Sequence, residues 1–233
     1  MTNKVIIASA VLAVGLLALG LCIRGGLKSF NDSQRIVEVR GLSEREVPAD
    51  QVTWPISFKL TGNELPAVYA QVSSTNNVIV EFLRANGIAE KDISVSAPQV
   101  NDLSADRYNS QPIPFNYSVT SVVTVSSSQV DKVRQLINRQ GELLQKGIPI
   151  STDYSNPITY KFTGLNSIKP EMIAEATKNA REAAEKFAND SESKIGKIKE
   201  ARQGQFEVND RDNYTPYIKT VRGVTKLVYY LED

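Results

Sequence analysis

The stretch IKPEMIAEATKNAREAAEKFANDSESK, residues 168–194, decides how this chain folds. Ile173, Ala176, Ala180, Ala184 and Phe187 recur at spacings of three and four, so they form one stripe of an α-helix. Glu175, Lys178, Glu182, Glu185 and Lys186 fill the other faces, with Arg181–Glu185 and Glu182–Lys186 placed for i, i+4 ion pairing. One face is therefore expected to be buried and the rest solvated. Alanine in the middle of the stripe lets the helix axis come close to what it covers, and the Val-, Tyr- and Phe-rich flanking segments make that partner a β-sheet. Ser167 is placed to cap the helix, and Pro170 falls in its first turn, where no N–H is needed.

After this helix, strands are expected over residues 198–208 and 221–231; before it, Ile158, Tyr160 and Phe162 alternate as a short strand. Nearer the N-terminus, residues 36–41 read as a strand ended by Gly41. Val52, Trp54, Ile56, Phe58 and Leu60 then alternate with Thr53, Pro55, Ser57 and Lys59, a strand with one buried face that makes Trp54 a core residue. Pro55 cannot donate to a ladder, so this strand is expected at an edge or bulged. Residues 63–86 read as a helix capped by Asn63 and stopped by Gly87, with Leu65, Val68, Val72, Ile79, Phe82 and Leu83 on one face. Residues 93–100 form the next strand, and after a polar loop over 101–114 the alternation resumes with Phe115, Tyr117, Val119, Ser121, Val123 and Val125. Ser128 caps a shorter helix bearing Val130, Val133, Leu136 and Ile137, which ends near Gly141.

The order strand, helix, strand, long loop, strand thus occurs twice, and the halves 36–127 and 148–232 match at an offset of 104. Phe58 falls opposite Phe162, Pro66 opposite Pro170 and Ala70 opposite Ala174. Asp106-Arg107-x-Asn109-x-x-Pro112 falls opposite Asp210-Arg211-x-Asn213-x-x-Pro216. The expected fold class is α+β: two similar βαββ modules joined by a helix and preceded by a single N-terminal transmembrane helix.

That anchor rests on Val5 to Ile23, nineteen consecutive uncharged residues between Lys4 and Arg24. As a helix they extend roughly 28 Å, about the thickness of a bilayer core. A signal cleaved at Ala18-Leu19-Gly20 would have its site inside the apolar run, and a lipoprotein acylated at Cys22 would carry Leu21 where a small residue is needed. An uncleaved anchor is preferred to both. Lys4 on one side and Arg24 with Lys28 on the other leave its orientation undecided. Residues 1–30 are anchor and linker, and residues 31–233 the α+β domain.

The 27 Lys and Arg are balanced by 26 Asp and Glu, so no charge field selects nucleic acid. With no histidine, and Cys22 as the one cysteine, the chain lacks the residues for Cys/His zinc sites, Ser–His and Cys–His nucleophile pairs, haem and iron–sulfur clusters. No catalytic, cofactor or metal residues are assigned. Asp210-x-Asp212 could begin a calcium loop but lacks the glycine and closing glutamate, so it reads as a solvated hairpin tip. In the paired loops Asp106 and Asp210, with Asn109 and Asn213, can bond their own backbones and fix the turns. The same loops carry Arg107, Tyr108, Arg211 and Tyr214, the residue types enriched at interface centres, and these four are the candidate interaction residues. An enzyme working through Asp106, Asp210, Tyr108 and Tyr214, or an adaptor taking a peptide strand on an open sheet edge, are the competing readings.

Residues 37–50 (VEVRGLSEREVPAD), residues 85–93 (ANGIAEKDI) and the alanine-rich helix with the SKIGKI that follows it at 193–198 resemble the SIMPL-domain family of YggE-like bacterial envelope proteins. The likeness covers about residues 36–231. It implies an exported α+β domain, a tendency to self-assemble and a link to stress tolerance, and it brings no catalytic residues. The expectation is a single-pass protein of the bacterial cytoplasmic (inner) membrane whose domain faces the periplasm or exterior. That domain is expected to be non-enzymatic, homo-oligomeric or bound to a protein partner, and without cofactor or nucleic acid.

Overall fold

A computed structural model describes residues 12–24, 35–105, 114–151 and 156–232. In chain order α1 covers residues 12–24, and β1 (Ile36–Pro48), β2 (Gln51–Gly62) and α2 (Leu65–Ala85) follow. After a 3₁₀ turn come β3 (Ile93–Val95), β4 (Gln99–Asp102), β5 (Tyr117–Ser127), α3 (Val130–Asn138), α4 (Gly141–Gln145), β6 (Ile150–Ser151) and β7 (Thr159–Lys161). α5 (Leu165–Asp190), β8 (Lys194–Gln203), β9 (Glu207–Asp210) and β10 (Ile218–Glu232) complete an α+β chain. It divides into two compact units, the first made of residues 46–165 and 208–220, the second of residues 166–207 and 221–233 with the chain up to residue 45.

In the first unit β2 and β5 pair antiparallel in unbroken register from Val52↔Ser127 to Gly62↔Tyr117. β3 and β4 flank β5, while β6 and β7 flank β2. The pleat aims Val52, Trp54, Ile56 and Phe58 inward with Val119, Val123 and Val125, all at most 2% exposed. α2 lays Val68, Val72, Ile79, Phe82 and Leu83 on that layer. Each such side chain contributes about 1.5–3 kcal/mol when fully buried. Gly87, at φ 81°, ends α2 by placing its own N–H on Arg84 O (2.9 Å) and the Ile88 N–H on Leu83 O (3.0 Å).

Several expectations fail here for local reasons. β2 is interior, and Pro55 is tolerated because β7 pairs with residues 51–53 and β6 with 57–58, leaving it in the gap between them. Asn63 does not cap α2; its side-chain oxygen accepts the Asn116 N–H at 3.1 Å. Residues 93–100 are not one strand: the ladder breaks into β3 and β4 around Pro98, which has no N–H and restricts Ala97 before it. Ser127, not Ser128, accepts the Gln129 N–H before α3 (3.2 Å), and Gly141 opens α4 instead of closing a helix.

In the second unit the sheet order is β1-β10-β8, with β9 beside β10. The buried stripe of α5 is Met172, Ala176, Ala180, Ala184 and Ala188, each at most 1% exposed. Ile173 is half-buried and Phe187 is 62% exposed, so the face expected from spacings of three and four is rotated. A stripe spaced strictly by four runs oblique to the helix axis, along an i±4 ridge. The cause of the rotation lies in β1. A Cβ on Gly41 would sit 1.8 Å from Ala176 O and 2.5 Å from Ala180 N, so helix backbone rests on strand backbone. That interface has room for alanine and none for phenylalanine. Gly41 therefore does not end β1, which runs on to Pro48.

The strand beside β10 is β1, whereas Tyr160 belongs to the three-residue β7 beside β2. α5 begins at Leu165, so Ser167 and Pro170 lie inside it. The residues just before it are held by Asp50, whose carboxylate accepts the N–H groups of Thr163 and Gly164 at 2.8–2.9 Å. Arg181 pairs with Glu185 at 2.9 Å, while Glu182 pairs with Lys178 instead of Lys186. At the other end the Ser193 N–H reaches Ala188 O (2.8 Å) across Glu192, which sits at φ 55° where glycine is usual. α1 is apolar all round, with its large side chains 54–68% exposed. Among the described residues no helix is long and apolar enough to cross a membrane, and residues 5–11 of the expected anchor lie outside them.

Gly41→Ala is expected to lower stability by at least about 2 kcal/mol through overpacking, and Phe187→Ala by less than about 0.5 kcal/mol. Urea unfolding of both variants checks this, and equal losses would mean that α5 is turned from its described face. Glu192→Gly should raise stability by about 0.5–1 kcal/mol, the left-handed penalty less the entropy that glycine adds to the unfolded chain. A lower urea midpoint for that variant would contradict it.

Candidate functional site

The β9–β10 loop of the first unit is the best-defined candidate, because local chemistry fixes its shape and leaves one aromatic outside. The Arg211 N–H bonds Ile218 O (3.0 Å) and closes the hairpin. Behind it Lys219, only 6% exposed, donates to Asp210 across the two strands, which neutralises its buried charge. Asp212 then shapes the tip: Oδ1 accepts the N–H groups of Tyr214 (2.8 Å) and Thr215 (2.7 Å), and Oδ2 accepts the Thr215 hydroxyl and Arg211 Nε–H (3.1 Å). These donors, Thr215 first and Arg211 next, hold the Asp212 carboxyl down to about 2.

Arg211 gives one bond from each of its three side-chain nitrogens. Besides Asp212 it reaches Thr215 Oγ1 (2.9 Å) and Glu46 Oε2 (3.3 Å), so its guanidinium braces the loop while its side chain stays 35% exposed. At the far end the Tyr217 ring is stacked under the Arg134 guanidinium at 3.3 Å and meets Tyr160 edge-on at 6.2 Å. Burial raises the Tyr160 phenol above its ordinary range. Between these fixed points Tyr214 is 93% exposed.

The expected turn-fixing role of Asp210 is corrected: Asp210 pairs with Lys219, and Asp212 fixes the turn. The signal for Asp212 was present, since a short acceptor precedes the N–H groups two and three residues on. No local pattern could have found Tyr217, whose partner Arg134 is remote in sequence. Asp106, Arg107, Tyr108, Asn109 and Pro112 lie outside the described residues. The two carboxylates of Asp210-x-Asp212 are occupied by the chain's own donors, and no group of three or more metal-binding side chains occurs among the described residues. Glu38, Asp102, Glu142 and Asp212 all shift downward, through Lys226, Ser104, Arg139 and Thr215 in turn, opposite to the raised carboxyl of a general acid.

No curated protein matches the chain. Residues 37–223 match the family model named SIMPL and described as a protein of unknown function (DUF541), which covers both β1 and the loop; the resemblance read from residues 37–50, 85–93 and 193–198 is borne out, and the chain belongs to the SIMPL family.

Proposed function

We propose that this chain is a membrane-anchored bacterial envelope protein whose SIMPL domain lies outside the cytoplasmic membrane and binds another protein, or a second copy of itself, without catalysis. The observation that carries the binding role is Tyr214, 93% exposed on a loop that Asp212 holds in one conformation. Tyrosine on a fixed turn offers a large contact face with little ordering cost on association. The anchor is supported by the uncharged run Val5 to Ile23 and by the exposure of every residue of α1, for which a bilayer supplies the missing apolar partner. The orientation, and a link to stress tolerance, are proposed from the family resemblance.

Peptide addition to the sheet is less favoured. β8, at the edge of its sheet, carries Lys194, Lys197, Lys199 and Arg202 over ten residues, a charge pattern that resists edge pairing. The βαββ duplication is supported by connectivity. β2, α2, β3 with β4, and β5 have the same order and neighbours as β1, α5, β8 with β9, and β10. In the second set the first strand comes from the start of the chain.

The intact chain should stay in the membrane fraction through a carbonate wash, and Leu16→Arg with Leu17→Arg should release it, at about 2.5–3.5 kcal/mol per charge at mid-membrane. Solubility of the unaltered chain without detergent would overturn the anchor. Tyr214→Ala should weaken partner capture or self-association by about tenfold or more, read by cross-linking of the full chain in membranes. Unchanged cross-linking would overturn the loop as the binding surface.

Rigidity of the loop has its own test. The Asp212 carboxyl is lowered by folding, so its contribution is complete above about pH 4 and disappears as pH falls through about 2. Carboxyl NMR titration should give a midpoint near pH 2 that moves up toward the ordinary value in Thr215→Val. A midpoint already near 4 in the unaltered chain would mean that the loop is loose.

A further inference from the structure

The break between β3 and β4 opens a cavity of about 370 Å³ between that sheet margin and α2. Tyr69, Ser73, Asn76 and Asn77 face it from consecutive turns of α2, and Ser96 and Pro98 close it from the break. Among the described residues no charged side chain lines it. Asn76 is the informative residue. It is 8% exposed, and its Oδ1 accepts the Ser121 hydroxyl at 3.0 Å. Its amide nitrogen makes no hydrogen bond among the described residues, yet no fully buried side-chain nitrogen or oxygen there is without a partner. The Asn76 NH₂ therefore opens onto the cavity, an oriented donor on an otherwise buried side chain, which an apolar occupant would leave unsatisfied. On the rim Tyr69, 55% exposed, supplies an aromatic face.

We propose that this cavity binds a neutral, hydroxyl-rich ring, the chemical class of a sugar residue. Hydroxyls and carboxamides without charge match an uncharged ligand that both donates and accepts, and an aromatic rim suits the apolar C–H face of such a ring. An anionic ligand would find no Lys or Arg among the described lining residues. An added peptide strand would find its ladder interrupted at the break, because Ser96 turns its N–H inward to Val122 O (3.0 Å) and Pro98 has none. The site shares no residue with the Tyr214 loop, so either reading can fail alone.

The test is an NMR titration of the full chain in phosphocholine micelles with N-acetylglucosamine, with glucuronate and trialanine as comparators. N-acetylglucosamine should shift the side-chain amides of Asn76 and Asn77 and the Ser96 N–H with a Kd on the order of 1–10 mM, the strength of a small polar ligand. Tyr69→Ala and Asn77→Ala, both at exposed positions, should each weaken it about fivefold or more while the rest of the spectrum stays in place. The proposal is overturned if these resonances do not move at about 50 mM probe, if neither substitution changes the titration, or if glucuronate or trialanine binds more tightly.

Discussion

The backbone contact at Gly41 sets the terms for everything in the second unit. Where a Cβ would lie 1.8 Å from a carbonyl oxygen of α5, strand and helix touch without side chains between them. Such an interface gains little from the area of any one residue and much from close dispersion contact over its whole length. It also fixes register. Beside Gly41 the Asn179 amide donates to Leu42 O (2.8 Å), Ser43 Oγ donates to Glu175 (2.8 Å) and Arg45 reaches Glu171 (2.9 Å). A one-residue slip of β1 would turn Leu42 into the helix and break all three.

The first unit fills the same connectivity in a different way. Its helix carries Val68, Val72, Ile79, Phe82 and Leu83, and these bury enough area to tolerate the loss of a methylene at about 1 kcal/mol. The alanine stripe of α5 has no such reserve in area but needs no rotamer ordering either. One core is therefore sensitive to cavities and the other to added bulk. Gly41 and Ala176 are positions where a single methyl decides, while Val68 and Val72 are positions where its loss is absorbed in part.

Periodicity made the α+β class and most elements legible, because each strand and helix shows its buried face within its own residues. It placed Trp54, Phe58, Val72 and Gly87 correctly for that reason. It misjudged α5 because Phe187 is the more hydrophobic residue and Ala188 the better fit, and fit was set by a glycine far away in sequence. It also took residues 158–162 for the strand that opens the second module, since nothing in β1 states that its partner is β10. Pro55 misled in the same manner: a residue unable to donate marks an edge unless the neighbouring strand is interrupted there, and that interruption lies in residues much later in the chain.

The aspartates of the loops show why candidate chemistry and candidate structure are hard to separate in a sequence. Asp50 holds the residues before α5, Asp92 accepts Ser127 Oγ, Asp102 takes the Ser104 N–H, Asp210 neutralises Lys219 and Asp212 folds the hairpin tip. Each carboxylate is spent on its neighbours. A carboxylate that accepts two or more donors from its own turn makes that turn stiff. Stiffness is what a protruding aromatic requires. On a mobile loop Tyr214 would lose ordering entropy in any contact it made; on a tip closed by Asp212 and anchored through Tyr217 that ordering is already done in folding, and the ring stays exposed.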